Sequence, residues 1–269
     1  MGIVEWLGQF PPNSVPHRIS KLGVRNRDAT IQQGIARGLK FNPGQSNPAY
    51  ALGTNEPPVQ NALVACLKPG DVFYDIGANV GFFTIIGAKL VGNAGHVYAF
   101  EPVPANATLV RRNAQLNQFS NITVFEQAVS VSSGKAELLV AHYSGGSTLS
   151  VADTPPDLKD RMMVDIVSID DLIAQKAILP PTMIKIDVEG AELEALRGMT
   201  ETIKTYQPII LYEIDDGNRA AFEHKQAALQ TFIEGLGYTT TPLEAAYPGL
   251  GWLVGHVVAT PLVRRSPRE

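Results

Sequence analysis

The sequence predicts an α/β fold, a mostly parallel sheet with helices on both faces, on three observations. Apolar strand-like runs alternate with helix-period segments from residue 57 onward. The run Val72-Phe73-Tyr74-Asp75-Ile76 enters the turn Gly77-Ala78-Asn79-Val80-Gly81 and continues into an apolar helix. A second run, His96-Val97-Tyr98-Ala99-Phe100, ends on Glu101, about twenty residues beyond the turn.

Taken in order, residues 1–54 carry Pro11-Pro12, Pro16, Pro43-Gly44 and Asn47-Pro48, which break any long element, so this stretch reads as an irregular arm or cap. The main domain is placed at 55–262. It opens with a helix over 57–67 and the turn Lys68-Pro69-Gly70-Asp71 before the first strand. A helix over 81–90, the Glu101 strand, and a helix over 104–116 with Pro104 in its first turn come next, then a strand at Ile122-Thr123-Val124-Phe125. Residues 136–140 and 163–167 read as extra strands around a loop from Ser144 to Asp160, a candidate binding loop or lid. Met183-Ile184-Lys185-Ile186-Asp187 resumes the sheet, a helix over 191–197 stops at Gly198, and Ile209 to Glu213 gives the next strand. A helix over 218–235 buries Phe222, Leu229, Phe232, Ile233 and Leu236, and 252–259 supplies a late strand. Residues 263–269 read as a frayed basic tail.

A net charge of −4 over 269 residues gives no general attraction to nucleic acid or to an anionic membrane. The single cysteine, Cys66, excludes an intrachain disulfide and a cysteine metal cluster, and its apolar neighbours predict a buried thiol. The start Met1-Gly2-Ile3-Val4-Glu5-Trp6 lacks the basic end and apolar core of a signal peptide, and no apolar run reaches spanning length, so a cytoplasmic location is expected.

The glycine turn and the two strand-tip acids point to a bound nucleoside. A pyrophosphate cofactor calls for three glycines, but positions 78 and 79 are Ala and Asn, and Asp75 would repel phosphate. S-adenosylmethionine has no phosphate and carries an ammonium and a sulfonium, which suit a nearby carboxylate. Glu101 suits a ribose diol, whose two hydroxyls donate to one carboxylate. NAD enzymes share that acid, so an NAD-dependent oxidoreductase is the rival enzyme reading, and a non-catalytic nucleoside-binding module is the rival outside catalysis. The cofactor-facing set is Asp75, Gly77, Ala78, Asn79, Gly81 and Thr84 from the first run, with Glu101 and Pro102 from the second. Gln127 and Ala128, after the third strand, fall where the adenine edge should lie.

With Asp75-Ile-Gly-Ala-Asn-Val-Gly81, Phe100-Glu101-Pro102 and Ile184-Lys-Ile-Asp-Val-Glu-Gly-Ala-Glu192 in that order, the sequence resembles the FkbM family of S-adenosylmethionine-dependent methyltransferases over roughly residues 55–215. The resemblance implies a class I methyltransferase fold, Rossmann-like, with seven strands and the last one inserted antiparallel. It implies O-methylation of a hydroxyl on a sugar, polyketide or other small metabolite. It also implies a role for Glu56, which stands where family members carry a Glu ahead of the first strand.

An aliphatic hydroxyl must lose its proton as it is methylated, which calls for a base near the strand ends. Asp187, Glu189 and Glu213 occupy those ends, and Asp187 is expected to face the cofactor or the acceptor. Lys185, inside an apolar strand, needs a partner, and Glu213 or Glu189 is the expected one. His142, beside the Ser144 loop, is a further candidate base at neutral pH. A divalent ion on Asp187, Glu189 and Glu213 is a lesser option because no compact ligand motif is present, and the scattered histidines argue against zinc. The acceptor is therefore expected to be a small molecule.

Overall fold

The computed structural model describes residues 26–47, 49–141, 146–152, 154–155, 157–247 and 251–262. In chain order, β1 (Ala29–Thr30), β2 (Lys40–Phe41), α1 (Ala49–Leu52) and α2 (Pro57–Cys66) lead into β3 (Val72–Ile76), α3 (Phe82–Val91), β4 (His96–Phe100), α4 (Pro104–Leu116) and β5 (Ile122–Phe125). Then come β6 (Ala128–Val129), β7 (Gly134–Ala141), β8 (Thr148–Leu149), β9 (Leu158–Val167), α5 (Ile169–Ala174), β10 (Met183–Ile186), α6 (Glu192–Arg197) and α7 (Thr200–Tyr206). The described chain closes with β11 (Ile209–Asp216), α8 (Arg219–Gly235), β12 (Tyr238–Pro242) and β13 (Leu253–Pro261).

Seven strands form the central sheet in the order β12-β13-β11-β10-β3-β4-β5, and β13 alone runs against the others. This is the class I methyltransferase arrangement the sequence implied. Alternation along each strand divides the core into two layers. Tyr74, Ile76, Phe100, Ile184, Ile186 and Tyr212 face one side, where α5 to α8 bring Ile169, Leu196, Ile203 and Ile233. Phe73, Val97, Met183 and Leu211 face the other, covered by α2 and α3 through Val59, Leu63, Phe82 and Ile85. Burial on both faces is why these strands are near-continuous apolar runs.

The same alternation sends Asp75 and Lys185 to the α3 side, as cross-strand partners in the β3–β10 register. Cys66, expected to be buried, is only half-buried at the end of α2.

The described part of the expected arm is not loose. Ile31, Phe41 and Leu52 are fully buried in the α2–α3 layer. Asn113 of α4, itself fully buried, accepts from Asn42 N at 2.7 Å and donates to Asn42 O at 3.0 Å, which clamps the segment to the domain. Polar residues hold this stretch where apolar periodicity is absent, which is why its sequence reads as irregular. The extra strands assemble with β6 and β8 into a second sheet, ordered β6-β9-β7-β8. Its inner face, Ala128, Leu138, Leu149 and Val164, packs against Ala191 near the strand tips.

Gly77 permits the closest approach between the two turns that follow β3 and β10. At φ +80°, a Cβ on Gly77 would stand 1.7 Å from the Asp187 carbonyl oxygen. Gly77→Ala should therefore lose about 1–3 kcal/mol of stability to backbone strain and more to the clash. Gly70→Ala, at φ +94° with nothing within 4 Å, should lose strain alone. Urea denaturation of the two variants separates the contributions, and equal losses would show that the close approach is relieved by movement of the Asp187 turn.

Candidate functional site

Above the carboxyl ends of β3, β4, β10 and β11 lies a cavity of about 910 Å³, large enough for a nucleoside cofactor with a small acceptor beside it. Its two ends differ chemically.

One end is built by the glycine turn and Glu101. Gly77 N and Ala78 N both donate to Phe100 O at 3.0 Å, which folds the turn over the tip of β4. Glu101 is 5% exposed and accepts from Asn79 N at 2.8 Å, Val103 N at 2.9 Å and Asn106 Nδ2 at 3.4 Å. Burial outweighs these donors and pushes the Glu101 carboxyl up to about 7. Asn79 holds a left-handed φ of 50°, and its buried Oδ1 has no hydrogen-bond donor. Pro102, Val103, Ala128, Leu138 and Leu149 complete this end with apolar wall.

The other end is crowded with carboxylates. Asp187, Glu189, Glu213, Asp215 and Asp216 line it with Glu56, Tyr247 and Trp252. Glu56 stands at the N-terminus of α2 with a left-handed φ of 44°, and its Oε1 accepts from Tyr247 Oη and Asn55 Nδ2, both at 2.6 Å. His256, 2% exposed and opposite Glu213 in the β11–β13 register, brings Nε2 to 2.7 Å from Glu213 Oε2 and 3.3 Å from Glu56 Oε2. Burial alone would depress the imidazole, but the two carboxylates outweigh it and hold His256 up at about 10. Burial and the charge of Asp187 push Glu213 up to about 8, and burial with repulsion from Asp187 and Asp215 raises Glu189 well above an ordinary glutamate. Asp215 is tied by Trp252 Nε1 at 2.7 Å and Asp216 by Lys225 Nζ at 2.8 Å.

Beneath the cavity floor sits Lys185, 2% exposed, with Nζ 2.9 Å from Asp187 Oδ2, 3.8 Å from Asp75 Oδ1 and 5.0 Å from the Phe83 ring centroid. Burial would lower its pKa, yet Asp187 and Asp75 together hold it above the ordinary lysine value. Glu192 shapes the turn above by accepting from Gly190 N at 2.9 Å and Val188 N at 3.3 Å.

Of the site residues read from the sequence, Glu56, Gly77, Asn79, Glu101, Pro102, Ala128, Asp187 and Glu213 meet in this cavity. Others do not line it. Asp75 is completely buried on the α3 face, where Oδ2 accepts from Thr84 Oγ1 at 2.6 Å, so Asp75 and Thr84 brace the strand tip from below instead of facing a ligand. Ala78 packs against Ala99 and Val110, and Gly81 lets α3 approach α4, with a Cβ there 3.1 Å from Val110 Cα. Gln127 is half-buried outside the cavity, which its neighbour Ala128 lines instead. Lys185 pairs with Asp187 and Asp75, not with Glu213 or Glu189, because the β3–β10 register sets it directly opposite Asp75. His142 lies outside the described residues. Sequence reasoning missed His256 and Tyr247; the alternation of β13 puts His256 on an inward position, but the partner register that gives it meaning is a long-range fact.

Comparison with known proteins decides the family. A family model described as the methyltransferase FkbM domain matches residues 75–240, more than half of the chain. The chain belongs to the FkbM methyltransferase family. It is 27% identical over 199 residues to the 31-O-demethyl-FK506 methyltransferase FkbM of Streptomyces tacrolimicus, covering 64% of this chain and 74% of that one. It is 26% identical over 156 residues to the hexuronic acid methyltransferase AglP of Haloferax volcanii, covering 58% of this chain and 61% of that protein. The solved structure of methyltransferase FkbM from Methylobacillus flagellatus aligns over 95% of this chain and 58% of its own, at 16% identity and a TM-score of 0.48. Membership in the family sets aside the oxidoreductase reading. Among the described residues, no helix is long and apolar enough to cross a membrane.

Removing the buried ammonium should be costly. Lys185→Met leaves Asp75 and Asp187 facing each other without a cation and should lose about 3–5 kcal/mol in urea denaturation. Adding Asp75→Asn should recover part of that loss, and a fully additive double variant would show that the two residues do not act as a pair.

The Glu101 carboxyl yields a pH prediction with a definite sign. A folded pKa of about 7 against an ordinary 4.5 means that the folded state holds this proton more tightly, so the stability from Glu101 is full below about 4.5 and is lost as pH rises through about 7. Thermal melts should show the native chain losing stability relative to Glu101→Gln between about pH 5 and pH 8; parallel pH profiles would contradict the buried-carboxyl account.

Proposed function

We propose that the chain methylates a hydroxyl group on a small metabolite or sugar, with S-adenosylmethionine as donor. The observation that carries this reading is the two-ended cavity: a turn-and-glutamate cradle with apolar walls at one end, and carboxylates with aromatic side chains at the other.

The residues present fit the donor. Asn79 Oδ1 is a buried acceptor at the cavity wall with no donor, and Gly77 lets the turns after β3 and β10 close together beside it. Glu101 would receive the ribose hydroxyls, the apolar wall from Val103 to Leu149 would take the adenine, and Asn79 with Asp187 would face the ammonium. When bound, S-adenosylmethionine supplies an electrophilic methyl on a cationic sulfur. The chain's own residues then have three tasks: to align the acceptor oxygen, to exclude water and to receive the hydroxyl proton. Alignment in such a reaction is worth about 7–11 kcal/mol. Asp187, Glu189 and Glu213 stand together at the acceptor end, and this group receives the hydroxyl hydrogen bond and its proton. Lys185 holds Asp187 from below and, always protonated in this setting, serves as a positioning residue and not as a base.

The names of two relatives support an oxygen acceptor and a small or sugar-like molecule: one acts on 31-O-demethyl-FK506 and one on a hexuronic acid. Trp252 and Tyr247, at the acceptor end, offer ring faces suited to the apolar side of a sugar. Acceptor choice is assigned to the described segment 26–54, through Asn47 and Tyr50, and to the β7–β9 connection, through Ser147, Thr154 and Asp157.

Turnover with S-adenosylmethionine and a panel of sugars and polyols, read as S-adenosylhomocysteine formed and product mass gained, tests the reading. Glu101→Gln should weaken S-adenosylhomocysteine about 10- to 100-fold by calorimetry, the size of a charge-assisted hydrogen bond to a diol. Glu213→Gln should leave that affinity in place and cut kcat about 10²- to 10⁴-fold. Absence of S-adenosylhomocysteine binding to the native chain would overturn the proposal.

A further inference from the structure

The antiparallel strand β13, laid between β12 and β11, brings a titratable side chain into the core of the sheet. His256 is 2% exposed, and its Nδ1 has no hydrogen-bond partner, so the ring is held through Nε2. Two carboxylates from two other elements reach that nitrogen as ion pairs and not as aligned hydrogen bonds: Glu213 Oε2 from β11 at 2.7 Å and Glu56 Oε2 from the start of α2 at 3.3 Å. The three ligand atoms lie within 4.8 Å of one another. A neutral imidazole here would leave two carboxylates buried side by side without a cation, whereas an imidazolium neutralises them.

The two glutamates are not equivalent. Glu56 is fastened from behind, because its Oε1 accepts from Tyr247 Oη and Asn55 Nδ2, both at 2.6 Å. Burial would raise the Glu56 carboxyl, but His256, Tyr247 and Lys185 outweigh it and hold it below an ordinary glutamate. Glu213 lines the cavity beside Asp187 and Glu189. The other cations of this wall are engaged elsewhere: Lys185 Nζ with Asp187 and Asp75, and Lys225 Nζ with Asp216 at 2.8 Å and Asp215 O at 3.2 Å. Among the described residues, the cation paired with Glu213 is His256. Burial, Asp187 and Glu56 push the Glu213 carboxyl up and His256 pulls it back, which leaves it at about 8.

We propose that His256 is a positioning residue for methyl transfer: anchored by Glu56, its imidazolium holds Glu213 at the cavity wall as a carboxylate ready to take the acceptor's proton. This role rests on the choice of Glu213 as proton acceptor in the function proposed above. In the step so served, the acceptor O–H bond breaks and its proton goes to Glu213. The oxygen electron pair forms the new O–C bond as the S–C bond opens to leave a neutral thioether, and His256 keeps its proton throughout. Without the imidazolium, Glu213 would hold its own proton more tightly before the reaction, and Glu56 would repel its carboxylate.

Carboxyl ¹³C NMR on the full chain labelled at glutamate tests the clamp, with the Glu213 signal assigned by its loss in Glu213→Gln. Glu213 should titrate near pH 8 in the native chain and at least about one pH unit higher in His256→Asn. With any sugar or polyol of the panel that is turned over, the acid limb of the kcat profile should move by the same amount. That is a loss of about tenfold in kcat at neutral pH, with the KM for S-adenosylmethionine unchanged. A histidine that merely fills the core would lower the melting temperature and move neither titration. Circular dichroism establishes that the His256 variant is folded; if it is not, the imidazole ¹⁵N shifts of the native chain decide. Those nitrogens should stay in the imidazolium form well above pH 7, since the two carboxylates hold the ring up at about 10. A neutral ring at pH 7, an unmoved Glu213 titration in the folded variant, or an unmoved kcat limb each overturns the proposal. Calorimetry with S-adenosylhomocysteine keeps the two readings distinct: no nucleoside binding by the native chain, with the Glu213 shift still present, would sink the methyl-transfer reading and leave the clamp.

Discussion

The Lys185 ammonium, buried between the tips of two adjacent strands, is the constraint on which the rest of the site depends. Asp75, far from Lys185 and Asp187 in sequence, joins them in one unit because β3 and β10 pair in a register that sets Asp75 opposite Lys185. A lone buried cation or a lone buried carboxylate would be far too costly, so each is present because of the other. The pair in turn fixes the Asp187 turn against Gly77, and that contact sets the height of the cavity floor.

Seen this way, Asp75 and Glu101 do different work although both end a strand beside the same turn. Alternation sends Asp75 down to the α3 layer, where Thr84 and Lys185 satisfy it. Glu101 stands just beyond the end of β4, where the chain leaves the pleat, and there it faces the cavity and gathers the N–H groups of Asn79 and Val103. One acid therefore stiffens the scaffold while the other lines the cavity. The charge expected of Asp75 at a ligand is thus spent inside the scaffold on Lys185, and the acids that line the cavity include Glu101, Asp187, Glu189 and Glu213.

Much of this fold could be read from local pattern. The central parallel strands β3, β4 and β10 are almost wholly buried and therefore mostly apolar, and Pro104 marks the start of α4 where the helix begins. The glycine turn, Glu101 and the acids after β10 were legible for the same reason, since each is punctuation at a strand end. Short elements were not: α5 over 169–174 and β6 over 128–129 have too few residues to show a period. The first of them did carry a signal, Ser168 three residues before Asp171, and Ser168 Oγ indeed accepts from Asp171 N. How the segment 26–54 is anchored was not legible, because asparagine side chains hold it, Asn42 with Asn113 and Asn117 with Lys40, and these leave no trace in hydrophobic periodicity. The partner of Lys185 and the place of His256 depend on strand register across the sheet, which no single segment encodes.

The division of the cavity also explains why the two halves of the sequence carry unequal amounts of information. The end at the glycine turn is built mainly by backbone, whose N–H groups at Gly77 and Ala78 donate to Phe100 O and at Asn79 and Val103 to Glu101, and such tight turns demand glycine and stand out in a sequence. The acidic end is made by side chains that arrive from the start of α2, the β10 and β11 tips, and the segment before β13. Its chemistry is set by how many carboxylates gather per cation, a quantity that exists only after folding. Glu213 stands between the two regimes: its position on β11 marks it as a candidate by pattern, whereas its neighbours Glu56, Asp187 and His256, reached through three different elements, set how tightly it holds a proton.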